Sequence, residues 1–191
     1  MIRMLLLSYL LALSVYMLPQ NTSKWVVTQN SSLTINGSTN INRFSCAILK
    51  YPQTDTISIH KVNDKICLTG TINLEVKNFE CNNRMMTHQF RKTLKLEEFP
   101  LLSISFISLK EFPNQKANQV RGTVAIKIAG VTKRYEISYE FESRHHTLKL
   151  RGTQAVNFSD FRLTSPQRMG KLIKANDELN VVFELQIKPV D

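Results

Sequence analysis

The sequence has no G-x-S-x-G elbow, no H-E-x-x-H pair and no glycine-rich phosphate loop. Those absences make an enzyme the weakest of the function classes, with no catalytic residue to name and no catalytic cofactor expected. Histidine is scarce: His60, His88, His145 and His146 are the only four. The adjacent pair, if on a strand, points to opposite faces and does not share a metal easily, so no metal site is expected. Three cysteines in 191 residues are too few for a disulfide-built scaffold. Six glycines and six prolines make no linker, and there is no repeat or low-complexity tract. Blocks of like charge are also missing, although the net charge is +10. Scattered cations suit a solvated surface. They also suit a basic rim that attracts an anionic membrane surface or a phosphorylated ligand. With no recognition module and no basic aromatic platform, nucleic acid is not an expected partner.

What is present begins with Arg3 ahead of an uncharged run from Met4 to Leu18. A positive start followed by a short apolar stretch is the pattern of a secretory signal, and the run falls short of the ~20 residues of a spanning helix. Residues 1–20 are therefore read as a signal peptide and 21–191 as one barrel domain, exported to a periplasmic or secreted location. No A-x-A-like site precedes Pro19 or Gln20. The sequons at Asn21, Asn30, Asn36 and Asn157 matter only in a eukaryotic secretory route.

The rest of the chain alternates. Val120, Gly122, Val124, Ile126 and Ile128 share one parity, and after Ala129-Gly130 so do Tyr135, Ile137, Tyr139 and Phe141. Successive strand residues point to opposite faces, so this is a hairpin with one apolar face. Ile66 to Val76 alternates without a break. Trp25–Ile35 reads as a first strand, Asn36-Gly37 as a turn, and Ser38–Leu49 as a second strand in which Ile41 is out of parity. Thr56–His60 is a short third strand before an Asn63-Asp64-Lys65 turn. Met86, Phe90 and Leu94, with Met85 beside them, form the stripe of an amphipathic helix that Pro100 would end. Leu101–Leu109 is apolar on both faces. His146–Phe158 and the alternating run from Leu179 to Ile187 are two more strands, separated by a polar loop over 159–176.

Long alternating strands suit closure, which removes exposed edges. The fold class is all-β, an antiparallel barrel of about eight strands with one intervening helix. Parity points Ile72, Leu74, Ile104, Phe106, Val124, Ile126, Tyr139, Phe141 and Phe183 inward. Met85, Met86 and Phe90 lie at one end, where thioethers suit an adaptable pocket.

The hairpin segment GTVAIKIAGVTK from Gly122 to Lys133 resembles the most specific segment of the YceI-like family of lipocalin-like, polyisoprenoid-binding exported proteins. FPLLSISF from Phe99 to Phe106, STNINRF from Ser38 to Phe44, and Ser159-Asp160-Phe161 fit the same family. The departures are Arg162, where relatives often carry glycine, and Lys92 and Lys95, near positions that are often acidic. The resemblance implies a lipocalin-like barrel that holds an isoprenoid lipid or quinone, for carriage or sequestration in the cell envelope. The alternative is a non-catalytic interaction module with a filled barrel and a basic docking surface. Cys46 and Cys81 sit near element ends, and their F-x-C settings resemble paired cysteines in some relatives. They are the expected disulfide, with three free thiols as the alternative.

Overall fold

A computed structural model describes residues 22–112, 119–144, 146–168 and 172–190. The expected signal peptide lies outside them. Twelve strands are present: β1 (Ser23–Val27), β2 (Ser32–Thr39), β3 (Arg43–Ile48), β4 (Asp55–Val62), β5 (Lys65–Glu75), β6 (Glu80–Cys81), β7 (Leu101–Leu109), β8 (Gln119–Ile128), β9 (Val131–Arg144), β10 (Thr147–Asn157), β11 (Gln167–Arg168) and β12 (Ile173–Val190). One helix, α1 (Arg84–Thr93), interrupts them.

Eight strands close a ring in the order β1-β4-β5-β7-β8-β9-β10-β12, and β12 returns to β1. All pairings are antiparallel, so the ring is a closed barrel with no free edge. The wall forks once. β12 pairs β1 near its end and β2 further back, while β4 pairs β5 and β3 pairs β6.

The fork explains three departures from the sequence reading. The stretch Trp25–Ile35 is two strands, because residues 28–31 turn out of the ladder; Ser31 Oγ stays in the line and accepts from Gln186 N at 3.0 Å. Asn36-Gly37 is not a turn. Gly37 sits inside β2 opposite Phe44, where a Cβ would stand 2.3 Å from the Phe44 ring. The turn falls at residues 40–42, which places Ile41 outside both strands and accounts for its parity.

β7 is apolar on both faces because it carries a bulge. The register shifts between Phe106 and Ser108, so Ile107 is extra, and Leu102, Phe106 and Leu109 all stay buried. The loop over 159–176 is not simply polar: a 3-10 turn at Ser159–Phe161 buries Phe161 and Leu163. Arg162, where the resemblance implies glycine, adopts the left-handed conformation, φ 55° and ψ 33°. A non-glycine residue there bears the cost of a positive φ. At the β8–β9 turn, Ala129 and Gly130 both have positive φ, the geometry that matches strand twist in a two-residue hairpin.

α1 starts at Asn83, whose side chain accepts from Met86 N at 2.9 Å. It stops at Leu94, and Lys95 turns left-handed at φ 57°. The helix thus ends well before Pro100, by backbone reversal rather than by proline.

Candidate functional site: an apolar barrel interior

The barrel interior holds three small cavities in a row. Chain direction sets their order. One end of the barrel carries the β4–β5 turn and the last residues of β12. The other carries the β2–β3 turn, the β8–β9 turn, α1 and the 158–163 turn. The first end contains a cavity of about 10 Å³ among Trp25, Ile57, Leu68, Leu109, Leu150 and Ile187. The middle contains one of about 40 Å³. The helix end contains one of about 30 Å³, lined by residues that include Phe90, Leu94, Ile128, Phe158, Phe161 and Leu163.

Neighbouring cavities share walls. Phe106, Val124 and Tyr139 line both the first and the middle cavity. Leu33, Ile104, Ile126 and Val181 line both the middle cavity and the one at the helix end. The shared side chains, apolar but for the Tyr139 hydroxyl, link the cavities into a row along the barrel interior.

Ile72, Leu74, Ile104, Phe106, Val124, Ile126, Tyr139 and Phe183 all line the middle cavity. Two of the expected lining residues lie apart from these cavities. Phe141 keeps the expected inward parity and packs half-buried against the core, but β9 has by then run past the middle cavity to pair Leu150 near the far end. Met85 is 59% exposed and also lines none, because it precedes the buried stripe of α1 by one position, about 100° around the helix. Met86 and Phe90 line a separate surface groove of about 60 Å³ with Thr39, Phe44, Gln89, Pro166, Ile173 and Ala175. Phe90 is the one residue common to that groove and the inner cavity at the helix end.

Sequence reasoning missed Leu33, Ile48, Tyr51, Val181 and Leu185 as lining residues. The alternation of the last strand carried the signal for Val181 and Leu185. Tyr51 sits in the linker of the fork and had none. Its hydroxyl donates to Asp55, and burial first, then Asp55, pushes its pKa up. Burial also raises the pKa of Tyr139. Both phenols remain neutral at any physiological pH, and no charged side chain lines the middle cavity.

The groove depends on how α1 is held. Cys46 and Cys81 are joined by a disulfide across the β3–β6 pair, and Cys67 is free. Asn82 Oδ1 accepts from Ser45 N at 2.7 Å, the residue before the helix cap. Arg91 donates to Phe79 O through Nε at 3.1 Å and Nη2 at 3.0 Å, and pairs with Glu80 at 2.7 Å.

A larger open volume, about 840 Å³, lies on the outer side of α1. It contains Arg84, Arg91, Lys92 and Lys95 against Glu80, Glu97 and Glu98, so its charges nearly balance, and Leu96 is the one aliphatic residue among those that line it. Lys92 and Lys95 belong to this outer cleft rather than to the groove. Among the described residues, no group of three or more His, Cys, Asp or Glu is arranged to hold a metal.

A family model described as YceI-like domain matches residues 19–187. Among solved structures, BcnA of Burkholderia cenocepacia is similar, with TM-score 0.63 and 14% identity over 82% of this chain and 95% of that one. A polyisoprenoid binding domain from Saccharophagus degradans, implicated in plant cell wall breakdown, has TM-score 0.59 and 7% identity over 86% and 97%. The Campylobacter jejuni YCEI protein has TM-score 0.52 and 14% identity over 71% and 81%. At these identities the likeness is one of fold. Comparison with curated protein sequences finds no match.

Proposed function

Because the chain belongs to the YceI-like domain family, we propose that it is a non-catalytic binding protein that holds a long isoprenoid lipid along its barrel axis. The carrying observation is the row of apolar cavities that reaches the surface groove at the single ring of Phe90. A row suits an extended chain better than a compact ligand. Apolar burial supplies the affinity, at ~0.8 kcal/mol per CH₂. The Saccharophagus degradans neighbour described as polyisoprenoid-binding supports the same class of ligand.

Export belongs to the proposal. It rests on Arg3 with the Met4–Leu18 run and on the Cys46–Cys81 disulfide, a bond that persists in oxidising compartments.

One observation favours a second reading. The middle cavity, at about 40 Å³, is far below the roughly 300–1,000 Å³ of ordinary ligand sites. With its side chains in this arrangement the barrel is nearly filled, as an interaction module would be. Lipid uptake therefore requires the tips between the cavities to separate. Native mass spectrometry and lipid extraction of protein purified from its own envelope tell the readings apart. A co-purifying prenyl lipid is expected; protein that is uniformly lipid-free, and takes up no prenyl lipid from detergent, leaves the interaction module.

A further inference from the structure

Two aliphatic side chains project from the helix end of the barrel. Ile41 is 64% exposed and Leu172 is 73% exposed, whereas Val62, Phe112 and Val190 at the opposite end are 42%, 43% and 44% exposed. Single exposed aliphatics are ordinary on protein surfaces. The segments that carry them are tied together through Asn40. Asn40 Nδ2 donates to Leu172 O at 2.9 Å, and Lys174 N donates to Asn40 Oδ1 at 3.0 Å. The Ile41 turn is braced in turn by Thr39 Oγ1, which accepts from Asn42 N at 3.0 Å. Neither tip folds back onto the core.

Two exposed cations lie in the same segments, ahead of Asp177 and Glu178. Residues 38–43 and 172–176 include exposed Arg43 and Lys174 and no acidic residue. The next carboxylate, Asp177, feels the Lys174 charge and is occupied by Ser159 and Ser165. The same turns form one side of the groove behind Phe90, through Thr39, Ile173 and Ala175.

We propose that this end of the barrel docks on an anionic bilayer surface, with Ile41 and Leu172 inserted at the headgroup level and Arg43 and Lys174 on the lipid phosphates. Two tips on convex turns do not make the broad contiguous face of a protein interface, which takes about 800 Å² from each partner. They suit shallow insertion, where apolar burial and cation attraction add. Docking in this orientation sets the groove mouth against the bilayer, the source of a prenyl chain; that last step rests on the lipid-holding reading, but the docking does not.

The test is co-sedimentation of the mature protein with vesicles of phosphatidylethanolamine and phosphatidylglycerol, against phosphatidylcholine alone. Ile41→Ser with Leu172→Ser is expected to lower partitioning about tenfold. Arg43→Glu with Lys174→Glu lowers it on the order of tenfold and removes the preference for phosphatidylglycerol. Val62→Ser, at the other end, leaves it unchanged. Either double variant partitioning like the parent, or Val62→Ser losing as much as they do, overturns the docking face. Prenyl lipid carried through purification is scored separately. A parent that binds vesicles without carrying prenyl lipid overturns the lipid reading and upholds the docking face. A parent that carries prenyl lipid but ignores anionic vesicles overturns the docking face alone.

Discussion

The two ends of the barrel are closed in different ways. At one, residues of the ring strands meet across the axis. Trp25, Ile57, Leu68, Leu109, Leu150 and Ile187 leave about 10 Å³ between them. Each of these side chains belongs to a strand hydrogen-bonded on both sides, so opening that end means opening the sheet. At the other end, closure comes from α1 and the 158–163 turn, which are attached at points: α1 by one disulfide, the Asn82 bond and the Arg91 contacts, the turn by its bonds to Asp177. A piece attached at points can move without breaking the ladder. The groove and the inner cavity meet there at Phe90, and access to the interior is assigned to that end for this reason.

The largest blow to this contrast comes from Phe90→Ala. Loss of a ring that is 3% exposed is expected to cost about 3–5 kcal/mol. It should also join groove and cavity, so that exchange of a fluorescent prenyl probe quickens. Slower or unaltered exchange in the folded variant removes the helix-end entrance. Second, Cys46→Ser with Cys81→Ser should cost about 3–4 kcal/mol in urea unfolding. Hydrogen exchange should rise chiefly in α1 and β6. If it rises equally in β8 and β9, the helix end is not a separately attached unit.

A smaller effect sharpens the contrast by pairing two glycines. A Cβ at Gly152 would lie 2.3 and 2.4 Å from the Phe183 ring in mid-barrel, and one at Gly37 would lie 2.3 Å from the Phe44 ring. Gly152→Ala should cost about 1–3 kcal/mol because Phe183 has only a small cavity to enter. Gly37→Ala should cost less, since Phe44 borders the open groove. Thermal melts that rank the pair the other way would show the groove side to be as tightly packed as the middle.

The smallest effect is alkaline. Burial first, then Asp160, pushes Tyr135 up to about 12, and burial leads the rise at Tyr51 and Tyr139 as well. A phenol that stays neutral longer when folded contributes stability that is complete below the ordinary value near ~10 and is lost as pH rises through the folded value. Melting temperature should hold to about pH 10 and then fall. Tyr135→Phe at the helix end should make that fall shallower; an unaltered slope would mean that the Tyr135–Asp160 contact does not persist in solution.

Alternation alone determined the strands, their inward faces and the all-β class, because a strand has a side-chain period of two whatever it pairs with. It placed Ile72 and Leu74 of one stretch together with Val124 and Ile126 of another. It did not show the fork at residues 28–31 and 49–54, since a chain that leaves one ladder and enters another keeps its local pattern. Nor did it show Gly37 as space for Phe44: Asn-Gly has a local preference for turns, and a ring arriving from the next strand overrode it. Phe161 and Leu163 looked like part of a polar loop because a 3-10 turn buries its apolar residues without a strand or helix period. Met85 and Phe141 followed their elements' patterns in sequence, yet the position of α1 at the mouth and the length of β9 past the middle cavity decided what they touch. Tertiary structure also decided that the segments carrying Ile41 and Leu172 meet at one end, because bonds through Asn40 join stretches that the sequence keeps far apart.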